Sequence, residues 1–208
     1  MSLSYFKKAC RQLGNSLKRA IHNRDGIAAV EFGYIAPVML LMLVGSVEAS
    51  RAISIDRRFS SITSMVGDLV SREQEIGVNS AENITKLTAI MKAVEHVMKP
   101  HPFDTLELEV IPVMGFGDGT DTKLYAPSYK YSGGSVATAR ARCEAYTLPA
   151  GLVAPGGSVI VVEAKYTYVP ATYATWLFGT SHDWEDKATH SPRHSCVDFE
   201  DNNCVVTC

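Results

Sequence analysis

Three patterns of hydrophobic and polar positions follow one another along the chain. From Ile27 to Val47 the residues are apolar, with Glu31 as the one charged side chain. At ~1.5 Å per residue such a run crosses a ~30 Å hydrocarbon core, so a membrane helix is predicted from Ile27 to about Ser50. Apolar residues then thin to one in three or four. Ile55, Phe59, Ile62, Val66 and Leu69 recur at helical spacing, which carries a helix on to about Arg72. Ile84, Leu87, Met91, Val94 and Met98 form a second stripe. Ser80 is its expected N-cap, and Lys99-Pro100-His101-Pro102 its end. From Phe103 the period becomes two. Leu106 to Val110 alternates, and so does Ser158 to Val169. In the latter Ile160, Val162, Ala164, Tyr166 and Tyr168 share one face, and Pro170 ends the strand.

Between these segments the signals are weaker. Gly115 to Asp121 reads as a turn, Lys123 to Tyr131 as a returning strand, and Ser132-Gly133-Gly134 as its end. Asp118 and Asp121 in that glycine-rich turn raise the question of calcium, but the spacing and closing Glu of a calcium loop are missing. Ser135 to Arg142 carries no clear pattern. Ala171 to Phe178, with Tyr173, Trp176, Leu177 and Phe178, is either a packed connection or an exposed apolar patch. The tail from His182 reads as polar, closing on a strand-like Cys204 to Cys208.

These patterns predict an α+β protein. A single N-terminal transmembrane helix extends into a domain with two amphipathic helices and an antiparallel sheet. The organisation is a basic leader over residues 1–26, a transmembrane helix over 27–50, a helical segment over 51–100 and a β-rich part over 101–208 with a cysteine-rich end. The chain of 208 residues is long enough for one domain with a real core after the apolar run is set aside.

Charge adds an orientation. Residues 1–26 hold six basic side chains against Asp25, a net +5, within a chain whose net charge is −2. The remainder is therefore −7, which speaks against nucleic acid as a partner. A basic head before an apolar span predicts a cytoplasmic N-terminus, with the following domain exported. Arg51, Arg57 and Arg58 on the far side weaken this without reversing it. Cys10 lies in the head, whereas Cys143, Cys196, Cys204 and Cys208 lie beyond the span. Four cysteines in an exported domain suggest two disulfides, with three connectivities open. A zinc site using them beside His190 and His194 is the competing reading, although Cys-x7-Cys-x3-Cys is not a usual zinc spacing.

Two processing sites compete around the apolar run. Val47-Glu48-Ala49 offers a small-x-small signal-peptidase site after it. Before it, Gly26 is followed by Ile27, with Glu31 as the fifth residue and Phe32 as the sixth. This resembles the prepilin-peptidase site of the type IV pilin superfamily. Arg24-Asp25-Gly26-x-Ala28-Ala29-Val30-Glu31-Phe32 with Ala36-Pro37 is similar to the start of TadE-like and TadG-like pilus assembly proteins. The helix ending Asp68-Leu69-Val70, the helix ending Met98-Lys99-Pro100, the strand Val159 to Tyr168 and the run Ser191-Pro192-Arg193 before the last cysteines share that layout. The chain is short for a TadG protein and lacks an Asp-x-Ser-x-Ser motif, so TadE-like is the nearer resemblance.

The resemblance implies a pilin-like minor pseudopilin of a Tad-type pilus, active in pilus assembly and adhesion. It implies a single pass through the bacterial inner membrane with a periplasmic C-terminal domain. Gly26, Ile27, Glu31 and Phe32 would be read by a prepilin peptidase. Other pilin subunits and the assembly machinery would be the partners, with no cofactor, no metal and no catalytic residue. Two alternatives stand beside it. One is a bitopic envelope protein with an uncleaved anchor and a periplasmic binding domain. The other is an exported hydrolase using Cys196 or zinc, for which no nucleophile elbow, HExxH, P-loop or dinucleotide fingerprint speaks.

Overall fold

The computed structural model describes residues 25–117, 119, 121–199, 204 and 208. The basic leader, including Cys10, Arg24 and the weak apolar stripe from Tyr5 to Ile21, lies outside the described residues, as do Asp118 and the tail residues Val205, Val206 and Thr207. The chain divides into two compact units, residues 1–49 and 50–208.

The first unit is described by helix α1, which spans Asp25–Arg72 and whose later turns belong to the second unit. Asp25 and Gly26 are already helical, so the turn expected over Asn23 to Gly26 does not include its last two residues. Pro37 lies within α1 without ending it. A proline ring collides with the carbonyl four residues back. Here that carbonyl belongs to Gly33, and no side chain or neighbouring segment lies within 4 Å of where a Gly33 Cβ would be. The backbone has room to adjust.

In the second unit Ile55, Phe59, Ile62, Val66 and Val70 of α1 are buried. The sequence stripe ended on Leu69; the buried position is Val70, because the last step is four residues rather than three. Helix α2, Ser80–Met98, is capped by Asn79 rather than Ser80. The Asn79 side chain accepts from the Glu82 backbone N–H at 3.0 Å, and the Glu82 carboxylate accepts from the Val78 N–H at 3.0 Å. The Glu82 N–H left over at the helix start is thereby satisfied, and the Glu82 carboxylate ties down the residue before the cap. Leu87, Met91, Val94 and Met98 are buried as the stripe predicts, while Ile84 is half-buried and Asn83 takes the interior place. Asn83 donates through Nδ2 to the Tyr129 hydroxyl (2.9 Å) and to the Phe199 carbonyl.

Six antiparallel strands form one sheet: β1 (Glu107–Phe116), β2 (Asp121–Leu124), β3 (Tyr129–Ser132), β4 (Ser135–Thr138), β5 (Ser158–Tyr168) and β6 (His182–His190). The order is β4-β3-β1-β5-β6. β2 shares with β3 the edge of β1 that faces away from β5. Pro112 falls in the gap between them, after Val110 pairs Tyr129 and before Val113 pairs Leu124. Its carbonyl accepts from Tyr125 on that edge at 3.1 Å. The donor that proline lacks would point the same way, into the changeover, so β5 loses no ladder bond.

The core lies between the sheet and the two helices. Leu108, Val110 and Met114 of β1 and Ile160, Val162, Ala164, Tyr166 and Tyr168 of β5 face it, as the alternation predicts. On the reverse face Ile111, Val113, Val159 and Val161 form a smaller cluster under Tyr146, Leu148 and Val153. The expected strand from Lys123 to Tyr131 is broken into β2 and β3. The patternless run after Gly134 is β4, reached through Gly133 and Gly134, both at positive φ. The polar tail from His182 begins as β6, paired with β5 over nine residues.

Candidate assembly segment and its surroundings

Gly26, Ile27, Glu31 and Phe32 lie on the first two turns of α1, all solvent-exposed. Ile27 and Glu31 are four residues apart and therefore stack on one face, about one turn apart. Phe32 is 67% exposed, and no side chain or neighbouring segment lies within 4 Å of a Cβ built at Gly26, Gly33 or Gly45. The most apolar stretch of α1 buries none of its residues, and the helix is long and apolar enough to cross a membrane. It fits a single-pass membrane protein. Val47-Glu48-Ala49 is helical too.

The cysteines beyond the span form two pairs at disulfide distance. Cys143 meets Cys208 with Cα atoms 5.6 Å apart, and Cys196 meets Cys204 at 5.8 Å. Cys196 is buried beside Val197 and Phe199, which enter the main core. Phe199 stacks on Tyr129 at 6.0 Å, and the Tyr125 hydroxyl donates to the Val197 carbonyl at 2.9 Å. Sequence reasoning found the cysteines and missed this insertion; Cys196-Val197-x-Phe199 was its signal.

Cys196 stands at disulfide distance from Cys204, an arrangement that does not favour a Cys196 nucleophile. Among the described residues no group of three or more His, Cys, Asp or Glu side chains is arranged to hold a metal ion. The ring of His190 packs where a Gly67 Cβ would stand, and His194 is exposed. Asp121 pairs with Lys123 at 2.9 Å.

The reverse face of the sheet carries an ion network. The Arg140 guanidinium lies 3.1 Å from Glu109 and 2.9 Å from Glu163, and it covers the Tyr146 ring. The Tyr146 hydroxyl donates to Glu163 at 2.6 Å. Burial, followed by this hydrogen bond to a carboxylate, pushes the Tyr146 phenol well above its ordinary pKa. Lys130 pairs with Glu107 at 2.8 Å, and that contact holds the Glu107 carboxyl below its ordinary value. A shallow cleft of about 430 Å³ beside Glu107, Lys165, Trp184 and Glu185 presents mixed charge.

The connection from β5 to β6 resolves the choice left by its sequence. Ala174 is fully buried and pins the loop, whereas Tyr173, Trp176 and Leu177 are exposed. Thr175–Phe178 forms a single turn, α3.

The family model described as TadE-like protein matches residues 26–65. That segment begins at Gly26 and runs through the apolar part of α1 to its core-facing turns. It amounts to about a fifth of the chain. The strand Val159 to Tyr168 and the cysteine-rich end lie outside it. No curated protein and no solved structure matches the chain.

Proposed function

We propose that this chain is a TadE-like minor pilin, anchored in the bacterial inner membrane by α1 and acting in Tad-type pilus assembly and adhesion. The observation that carries the reading is the match over residues 26–65, which opens on the predicted processing motif and contains Glu31 and Phe32. The role is structural, in keeping with the family. The soluble unit stands in the periplasm, where the two cysteine pairs are oxidised, and the basic leader stays in the cytoplasm.

A prepilin peptidase cuts between Gly26 and Ile27. The cut frees the α-amino group of Ile27. A carboxylate at membrane depth is unfavourable by ~2.5–3.5 kcal/mol on insertion scales. Pairing of Glu31 with the amine of a neighbouring pilin helix offsets that cost and fixes the axial stagger between subunits. The exposure of Glu31 and of the open positions beside Gly33 and Gly45 supports such helix-to-helix contact.

N-terminal sequencing of the protein recovered from membranes tests the reading. A start at Ile27 is the expected result. A start at Ser50 refutes it in favour of signal-peptidase processing, and an intact Met1 refutes it in favour of an uncleaved bitopic anchor. In cells that assemble the pilus, Glu31→Ala is expected to leave the protein in the membrane and to impair assembly.

A further inference from the structure

Several contacts gather at one end of the second unit. The Phe59 ring of α1 lies 6.0 Å from Tyr166 of β5. The Tyr166 hydroxyl donates to the Pro102 carbonyl at 3.0 Å, and Thr105 Oγ1 donates to the Thr167 carbonyl at 3.0 Å. Arg58 Nη1 donates to the carbonyls of Val97 (3.0 Å) and Lys99 (2.9 Å). The opposite end is marked by His190 against Gly67 and by the Arg193 N–H on the Ser71 carbonyl at 3.1 Å. Along α1 the chain therefore enters the second unit at the Phe59 and Tyr166 end. Residue 169 follows Tyr168 at that end, and His182 returns in register opposite Tyr168.

The segment from Val169 to Ser181 contains no Asp, Glu, Lys, Arg or His. Val169 is 59% exposed, Tyr173 53%, Trp176 68% and Leu177 40%. Water is a poor solvent for this set, and the buried Ala174 holds it in place. Ser50 stands nine residues before Phe59, about 13 Å of helix. Arg51, Arg57 and Arg58 of α1 and Lys99 after α2 are among the basic side chains of this end, with Asp56, Asp104 and Asp183 among the acids. Burial, then Arg58 and Arg51, hold the His101 imidazole below its ordinary pKa, which marks how closely these cations gather.

We propose that the Val169–Ser181 loop is a membrane-interface anchor, with Tyr173, Trp176 and Leu177 inserted among the headgroups of the phospholipid bilayer that α1 crosses. The proposal rests on the reading of α1 as a membrane span. A covalent tether at Ser50 keeps a bilayer at this end of the unit, whereas a protein partner has to be recruited there. Tryptophan and tyrosine are the side chains that favour the water–hydrocarbon boundary, with the ring in the apolar layer and the N–H or O–H in the wet one. Lysine and arginine near a bilayer surface are drawn to lipid phosphates, which favours the same placement. This also accounts for Arg51, Arg57 and Arg58 following the span, where the charge rule alone expects few.

The chain has two tryptophans, so Trp184→Phe leaves Trp176 as the single emitter. The full-length variant is reconstituted into vesicles of phosphatidylethanolamine and phosphatidylglycerol, plain or brominated high on the acyl chains. The expected result is co-flotation with the vesicles and roughly halved Trp176 emission in the brominated ones, with little iodide quenching in either. The Trp176→Phe protein, which reports from half-buried Trp184, is expected to change much less. Co-flotation with equal emission in both vesicles and free iodide access overturns the anchor while leaving the span intact. Equal emission with iodide excluded overturns it in favour of a protein neighbour, including a second copy. Failure to float overturns both the span and the anchor.

Discussion

Leu40 and Leu87 are the same residue in neighbouring α-helices, yet Leu40 is 63% exposed and Leu87 is fully buried. The contrast extends to their surroundings. The apolar residues of α1 before Ser50 have no protein side chains against them sufficient to bury them, whereas those of the second unit close a core with the sheet. Hydrophobic composition alone does not separate these cases. Spacing does, because a stripe leaves one face polar for water and a continuous run leaves none. The second unit supplies its own apolar solvent; the first needs one supplied, and lipid or another helix meets that need.

The comparison can be broken first at the covalent level. Replacing Cys143 and Cys208 by Ala opens a loop with a sequence separation of 65, and loop-closure entropy puts the loss near ~4 kcal/mol. The same change at Cys196 and Cys204, a separation of 8, is expected to cost about 2.5 kcal/mol on that account. Urea unfolding of the oxidised and variant proteins in detergent measures both, and neither should alter membrane insertion. Next is the core itself. Leu87→Ala should lower the stability of the second unit by ~2–5 kcal/mol, while Leu40→Ala leaves its unfolding midpoint unchanged. Conversely, Leu40→Arg should disfavour membrane insertion by about 3–4 kcal/mol, read from the glycosylated or carbonate-extractable fraction, with the unfolding midpoint again unmoved. If Leu40→Ala destabilised the second unit as Leu87→Ala does, the contrast between the regions would be lost.

The smallest effect is alkaline. Burial raises the phenol pKa of Tyr125, Tyr131, Tyr146 and Tyr166, with Glu95 adding to it at Tyr131, Glu163 at Tyr146 and Asp104 at Tyr166. The folded form thus holds these protons more tightly than the unfolded chain. The stability they contribute is fully present below the ordinary phenol value of about 10 and falls as the pH climbs from there towards the folded values. Tyrosinate absorbance followed with circular dichroism should show part of the tyrosine signal appearing only as the second unit opens. Titration of all nine tyrosines before any structural loss would contradict this.

What was legible in the sequence follows from how strongly burial constrained each residue. β5 is buried along one face for its whole length, and its alternation named the right side chains. The two helical stripes were legible for the same reason, apart from the slip from Val70 to Leu69, where a pair of adjacent apolar residues left the register open. β6 was unreadable because an edge strand needs polar side chains to discourage further pairing. His182-Asp183-Trp184-Glu185-Asp186 therefore looks like a tail, although Trp184 stacks on Tyr168 at 5.0 Å. The N-cap moved one residue because Asn79 and Ser80 are both good caps, and the choice was made by Glu82 reaching back to Val78. Asn83 could not be placed inside without knowing that Tyr129 and the Phe199 carbonyl would receive it. At the candidate site Gly26, Glu31 and Phe32 were legible one by one, because the proposed motif is local in sequence. The aromatic loop was not, because its exposure depends on Ala174 being held by a core assembled from distant segments.

Pro112 has a consequence for how the sheet avoids assembling wrongly. Because its silent backbone position coincides with the changeover from β3 to β2, the correct alignment forfeits nothing. If β1 slid along these neighbours by two residues, the alternation of faces would be preserved and the hydrophobic pattern would not object. The proline would then stand opposite a carbonyl it cannot serve, at a net cost of about 1 kcal/mol per lost bond, and more if that carbonyl were buried. The residue thus proofreads a frame error to which side-chain burial is blind.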